Sequence, residues 1–176
     1  MSSNAPGEPA FDVDQFLARP LTARIATDGP TVRPVWFLWE DGAFWVLTGP
    51  WTRLYQRVRE EPRLALVVDD CDVRTGEVRQ VIARGDAELL PFDIPRGRRK
   101  LTRYLGPDES GWDQRFRLYL HEGRGGEPAS WLRLAPARMR VADLSYRVAS
   151  TEPGAESGAE SGTESGPGTA TAAARD

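Results

Sequence analysis

Residues 31–53 constrain this chain more than any other stretch. They read Thr-Val-Arg-Pro-Val-Trp-Phe-Leu-Trp-Glu-Asp-Gly-Ala-Phe-Trp-Val-Leu-Thr-Gly-Pro-Trp-Thr-Arg. Two apolar runs, Val35–Trp39 and Phe44–Leu47, are rich in aromatic and β-branched residues. Between them lies Glu40-Asp41-Gly42, and an Asp-Gly step between such runs is a strong hairpin signal. The second run leads through Thr48-Gly49-Pro50 to Trp51-Thr52-Arg53, where a helical pattern begins. A helix N-terminus presents free N–H groups that favour an anion, and arginine adds a planar fork of donors suited to phosphate. The stretch reads as a hairpin that ends in a phosphate-holding corner.

The elements around it are short. Phe11–Arg19 predicts a helix capped by Asp12 or Asp14 and stopped by Pro20. Leu21–Thr27 alternates as a strand does, and Asp28-Gly29-Pro30 is a turn. Thr31–Glu40 and Ala43–Thr48 are the two hairpin strands, and Pro34 requires a bulge or an edge position in the first. Thr52–Glu61 is a helix with Leu54, Tyr55 and Val58 on one face. Arg63–Val68 is a buried strand, Asp69–Glu77 a polar loop, and Val78–Leu90 a long strand with Gly85 as a bulge or kink. Arg96–Leu105 and Trp112–His121 are helical, and Ala129–Leu134 and Met139–Leu144 are the last strands. Six or seven strands in hairpin order imply a mainly β, α+β fold built on a small antiparallel barrel.

Composition sets the domain limits. From Glu152 onward the chain holds Gly, Ser, Glu, Ala, Thr and Pro with no large apolar side chain, so it cannot offset the entropy of ordering. One domain over residues 11–148 is expected, between a disordered N-terminus (1–10) and a disordered acidic tail (149–176). The tail carries four of the net negative charges, which leaves the body near +1 against −3 overall. Such a body does not resemble a general nucleic-acid binder. One cysteine, Cys71, and one histidine, His121, exclude a disulfide framework and most zinc sites. No stretch reads as a signal peptide or a membrane span, so a cytoplasmic protein is expected.

The order of elements and three local matches resemble the split-barrel flavin and deazaflavin oxidoreductases of the pyridoxamine 5'-phosphate oxidase-like superfamily. Arg33-x-Val35 is similar to the family's Arg-x-Val segment along the flavin. Leu47-Thr48 followed by Thr52-Arg53 resembles its strand-end Thr and its Ser-Arg pair, which hold the cofactor phosphate. Arg79-Gln80-Val81 resembles its Arg-Gln-Val strand, whose Gln approaches the ring. The resemblance spans roughly residues 12–145. It implies a six-stranded antiparallel split β-barrel, a homodimer with cofactor sites at the interface, and coenzyme F420 or FMN as cofactor. The phosphate would sit on Thr48, Thr52 and Arg53. The ring would lie along Arg33, Val35 and Trp36, near Gln80 of the neighbouring strand. The oxidase proper has a Lys where this chain has Leu54, and an Arg-Leu-His segment where this chain has Trp131-Leu-Arg133-Leu-Ala-Pro136. Those departures point away from a pyridoxine phosphate oxidase, and the Trp-x-Arg-Leu-x-Pro ending resembles the F420-using branch.

Hydride chemistry suits a chain with so little acid–base apparatus, because the cofactor carries the reaction. No side chain is assigned as catalytic. Cys71 lies among carboxylates that disfavour its thiolate, and His121 reads as a helix-end residue. Each binding residue also has a structural reading: Thr52 as a helix cap, Arg33 as a cross-strand ion-pair partner, Gln80 as an outward strand residue, the tryptophans as core or interface. Arg96, Arg98, Arg99, Lys100 and Arg103 make a basic helix, either a solvated face or a contact for an acidic cofactor tail. The expected activity is hydride transfer between the cofactor and a small conjugated organic substrate. The alternative is a non-catalytic carrier of flavin, deazaflavin or haem, the last with His121 as the only available histidine ligand.

Overall fold

The computed structural model describes residues 9–148; the tail 149–176 and residues 1–8, both expected to be disordered, lie outside them. A short helix α1 (Val13–Leu17) precedes β1 (Thr22–Thr27), β2 (Thr31–Trp36), β3 (Leu38–Glu40) and β4 (Ala43–Thr48). Helix α2 (Arg53–Glu60) leads to β5 (Arg63–Asp72) and β6 (Glu77–Pro91). Helices α3 (Ile94–Leu105) and α4 (Gln114–His121) follow, then β7 (Ser130–Leu134) and β8 (Arg138–Asp143).

Hydrogen bonds join the strands in the order β2-β1-β5-β6-β7-β4-β3, with β8 also on β6, and every pairing is antiparallel. The two ends of this path, β2 and β3, are consecutive in the chain with only Phe37 between them. The sheet therefore curls until its ends approach, and chain continuity rather than a ladder joins them. That is a split barrel, as expected. The count is eight strand segments instead of six or seven, because the strand expected over Thr31–Glu40 breaks at Phe37.

The break has a physical cause. Phe37 and Leu38 are both buried, which strict strand alternation forbids. Phe37 belongs to the main core, with Leu17, Ile25, Phe44, Leu66 and Leu134; Leu38 packs with Trp45 and Trp131 in a second cluster. Tyr104 of α3 satisfies the backbone at the break. Its hydroxyl accepts from the Phe37 N–H at 3.1 Å and donates to the Leu21 carbonyl at 2.7 Å, with the Phe37 carbonyl at 3.0 Å. Burial of each large apolar side chain in these clusters contributes roughly 1.5–3 kcal/mol.

Strand β6 spans both halves of the barrel. Its ladder with β5 runs unbroken from Arg63↔Asp86 to Asp72↔Glu77, so the bulge expected at Gly85 is absent on that side. On its other side, Arg79–Arg84 pair with β8 and Ala87–Pro91 with β7. Gly85 sits at this change of partner. A Cβ there would lie 3.1 Å from the Ala137 nitrogen and 3.2 Å from the Ala135 carbonyl oxygen, so the glycine admits a close backbone approach. The polar loop expected over Asp69–Glu77 shrinks to a turn, because β5 continues to Asp72 and places Cys71 opposite Val78. Pro34 takes the edge position expected of it, since β2 ends the hydrogen-bonded path.

Candidate functional site

At the end of β4 the chain turns into α2 through a closed set of hydroxyl bonds. The Thr52 hydroxyl caps the helix by accepting from the Tyr55 N–H at 3.0 Å and donates to the Gly49 carbonyl at 3.0 Å. That leaves the Thr48 hydroxyl, 2.7 Å from it, as the donor between the two threonines. Thr48 is 1 % exposed. Both hydroxyl protons are therefore spent inside the turn. The threonines shape the corner, and the donors it offers outward are the first two N–H groups of α2, on Arg53 and Leu54, and the guanidiniums beside them.

Three guanidiniums gather there. Arg33 on β2 shares a core-facing row with Ile25, Leu66 and Ala83, which turns its side chain inward at the edge of the sheet. Arg53 and Arg57 lie four residues apart on one face of α2. Burial first, then the positive charges of Arg57 and Arg53, lowers the Arg33 pKa from its ordinary value. The Arg33 Nε is buried and has no hydrogen-bond partner. Arg57 donates to the Asp28 carbonyl at 2.8 Å. Among the described residues none of the three makes an ion pair, although twelve such contacts are found elsewhere, from Arg19–Asp70 to Arg133–Glu88. An open cavity of about 470 Å³ borders Arg53 and Arg57, with Thr52 and Gln56 in its wall. Glu60 also lines this cavity but forms no ion pair with any of the three, so the mutually repelling charges are left for an anion, as an anion site requires.

A second cavity, about 230 Å³, lies beside Val35 and Trp36 and is also lined by Val46, Leu47, Leu101, Phe116, Tyr119 and Lys100. Trp36 stacks on Tyr104 at 4.6 Å between centroids and 4° between planes, and on Phe116 at 5.3 Å and 22°. This is a flat, largely apolar slot, smaller than the roughly 300–1,000 Å³ of a complete ligand pocket. A larger cavity of about 610 Å³ lies between α4 and the ends of β6 and β7 and shares Tyr119 with the slot. Volume favours the larger cavity as a site, but none of the predicted cofactor residues lines it. Charge and aromatic geometry favour the corner and the slot.

The predicted site residues thus fall into two groups. Arg33, Thr48, Thr52 and Arg53 gather at the corner of β4 and α2, and Val35 and Trp36 line the slot. Gln80 does not join them. It lies on β6, separated from β2 by β1 and β5, so the expectation of a neighbouring strand is corrected. Its neighbour Val81 is in the core, and strand alternation turns Gln80 to the opposite face of the sheet from Arg33. Consecutive hairpins had suggested adjacency, but β6 pairs with β5, β7 and β8.

Other polar residues are accounted for. Glu40 accepts from Arg96 at 2.9 Å and from Arg99 at 2.9 and 2.8 Å, while Arg98 bonds Glu109 at 2.9 Å. Arg103 donates to the Leu17 carbonyl at 3.1 Å. The four arginines of this helix are thus tied to partners within the fold, although Arg98 and Arg99 keep about half of their side chains exposed. His121 closes α4 within 2.7 Å of Glu109, the helix-end position expected of it. Sequence reasoning missed Arg57, which the four-residue spacing from Arg53 could have flagged. It also missed Lys100, grouped with the arginines although it shares the spacing of Gly97, Leu101 and Tyr104 along the inner face of α3. Among the described residues no group of His, Cys, Asp and Glu could hold a metal, and no helix is long and apolar enough to cross a membrane.

The family model described as pyridoxamine 5'-phosphate oxidase matches residues 12–142. No curated protein matches the chain. Among solved structures, a conserved hypothetical protein of Mycobacterium tuberculosis superposes with a TM-score of 0.62 at 19% identity, over 85% of this chain and 99% of that one. A protein named F420 reductase gives 0.51 at 22% identity, over 72% and 94%. A FAD-binding protein of Mesorhizobium loti gives 0.51 at 19%, over 75% and 93%. At these identities the structural likeness establishes the fold.

Proposed function

The chain belongs to the pyridoxamine 5'-phosphate oxidase family, in the flavin and deazaflavin split-barrel superfamily, and from that premise we propose that it is an oxidoreductase that binds FMN or coenzyme F420. The observation that carries this reading is the unpaired cluster Arg33, Arg53 and Arg57 at the N-terminus of α2. A phosphate group fits it on three counts: charge, the orphaned Nε of Arg33, and the two free N–H groups of the helix. Arg53 and Arg57 hold the phosphate, Arg33 reaches it from the sheet edge, and the Thr48–Thr52 pair fixes the turn that aims them. The name F420 reductase on a relative of the same fold adds a consistent precedent.

The cofactor, when bound, supplies hydride transfer to or from a small conjugated substrate. The chain supplies position and a dry environment. Val35, Val46, Leu47 and Trp36 wall the slot and exclude water from one face of the ring, and the Tyr104 and Phe116 stack keeps the Trp36 indole from turning away. The slot is too small to enclose a whole cofactor, so a second copy of the chain completes the cleft. Gln80, on the opposite sheet face, then approaches the ring across that interface. The residues that distinguish a pyridoxine phosphate oxidase are replaced, with Leu54 after Thr52-Arg53 and Trp131-Leu-Arg133 near the end, so the substrate class is different. The single domain spans residues 11–148.

Titration of the purified full chain with FMN and with coenzyme F420, followed by quenching of tryptophan emission, tests the reading. At least one of the two is expected to bind, and Arg53→Ala is expected to weaken it tenfold or more. Quenching by neither would overturn the reading.

A further inference from the structure

The only lysine of the chain occupies a position on α3 that the helix pattern reserves for an apolar side chain. Gly97, Lys100 and Leu101 are the buried residues of that helix. Lys100 is 5 % exposed. Among the described residues its ammonium has neither a carboxylate nor a hydrogen-bonding side chain, and burial alone draws its pKa down to about 8. A buried cation in this state is costly unless something pairs with it. Lys100 lines the slot beside Trp36, where the other walls are Val35, Val46, Leu47, Leu101, Phe116 and Tyr119. Of these walls only Tyr119 is titratable, and none is acidic.

The arginines of the same helix make the contrast sharper. Arg96, Arg98 and Arg99 find carboxylates, and Arg103 finds a carbonyl. Lys100 alone is left for a group outside the protein. Lysine is a compact point charge with a flexible stem, suited to a single oxygen rather than a forked phosphate.

We propose that Lys100 is the second charged contact of the ligand site: its ammonium receives the negative charge of a reduced, planar flavin or deazaflavin ring in the slot, while the guanidinium cluster holds the phosphate. The proposal rests on the cofactor reading above. A ring of this class that accepts hydride gains two electrons and one proton, and the donor loses the same. The ring is left one unit more negative unless a second proton follows. A fixed ammonium beside it therefore binds the reduced ring more tightly than the oxidised one and raises the ring's reduction potential. Lys100 acts here as an electrostatic contact and transfers no proton.

The experiment compares wild type with Lys100→Met, Lys100→Gln and Lys100→Arg, as full chains carrying whichever of FMN and coenzyme F420 the wild type binds. Affinity for the oxidised cofactor is read by tryptophan quenching, and the midpoint potential by anaerobic dithionite titration against a reference dye. Both neutral variants are expected to retain oxidised-cofactor binding within about threefold and to lose at least tenfold in affinity for the reduced form. For a two-electron couple, tenfold corresponds to a fall of about 30 mV in midpoint potential. Lys100→Arg is expected to keep the wild-type ratio. Thermal unfolding of the ligand-free neutral variants should occur at or above the wild-type temperature, since an unpaired buried charge has been removed. An unchanged midpoint potential in variants that bind oxidised cofactor would overturn this proposal and leave the cofactor reading standing. A lowered unfolding temperature in both neutral variants, with the affinity ratio unchanged, would assign Lys100 a purely structural role. Wild type that binds neither cofactor would overturn both readings, the cofactor reading first.

Discussion

Two arginine-rich regions of this protein look alike in sequence and differ in what surrounds them. At the α2 corner, Arg33, Arg53 and Arg57 lie together and none of them forms an ion pair among the described residues, although Glu60 borders the same cavity. Along α3, Arg96 and Arg99 share Glu40, and Arg98 shares Glu109 with His121. Arg96 also lies 3.7 Å over the Trp45 ring. The second region is fastening: Glu40 ties Arg96 and Arg99 to β3, and Glu109 holds Arg98. The first stores repulsion, which only an external anion relieves. A count of positive charges would rank the α3 region higher, yet the absence of partners is what marks a binding site.

The strongest way to break this comparison is to remove charge at the corner. Arg33→Ala and Arg53→Ala should each weaken binding of a phosphate-bearing cofactor by roughly 10- to 100-fold, about 1.4–2.8 kcal/mol, as expected for a charge-assisted contact. Neither should lower stability, because each relieves like-charge repulsion. Riboflavin, which lacks the phosphate, should bind both variants and wild type alike; isothermal titration calorimetry gives the values. A matching loss of riboflavin affinity would mean that the arginines serve the ring or the fold instead.

The converse change at α3 should cost stability and spare the ligand. Glu40→Gln leaves Arg96 and Arg99 facing a neutral amide, at a cost of about 1–2 kcal/mol by urea unfolding, moderated because Arg99 is half exposed. The Glu40 carboxyl is held below its ordinary pKa, first by the Arg99 hydrogen bond. Its folded-state pKa is thus lower than its unfolded one. The stability it confers is present above the unfolded value and is lost as pH falls through the folded one. Wild type should lose this increment below about pH 4.5, and Glu40→Gln should not.

Lys100 gives the opposite pH signature. Its folded pKa, about 8, lies below the unfolded value of about 10.4. The unfolded chain binds more protons between those values, so the Lys100 contribution to stability increases as pH rises from about 8 to 10.4. Tyr119 faces the same slot, and Tyr104 on the same helix has a raised pKa from burial, so the test is the difference between wild type and Lys100→Met. The difference should shrink across that window. The smallest effect belongs to His121→Ala. Its contact with Glu109 is exposed, and no measurable change in unfolding temperature or cofactor affinity is expected.

Much of the fold was legible because it is local. Asp41-Gly42 made the hairpin, with positive φ at both residues, and Asp12 and Thr52 capped their helices as their positions predict. The corner residues Arg33, Thr48, Thr52 and Arg53 were legible through family resemblance and converge in space. Three things were not. The break at Phe37 depends on Tyr104, 67 residues away, which takes the backbone N–H that a continuous strand would have paired. The face on which Gln80 lies depends on β6 pairing with β5, β7 and β8 and not with β2. The role of Lys100 was hidden by four arginines around it that share its charge but not its environment.

The sequence by itself therefore determined the elements, their caps and turns, and the chemical types available to a site, since these follow from side chains a few residues apart. Only the tertiary structure decided which charges are neutralised and which are left open. Pairing is a property of distance in space, and Glu40 reaches Arg99 across 59 positions of chain while Arg33, Arg53 and Arg57 converge with no acid within ion-pair reach.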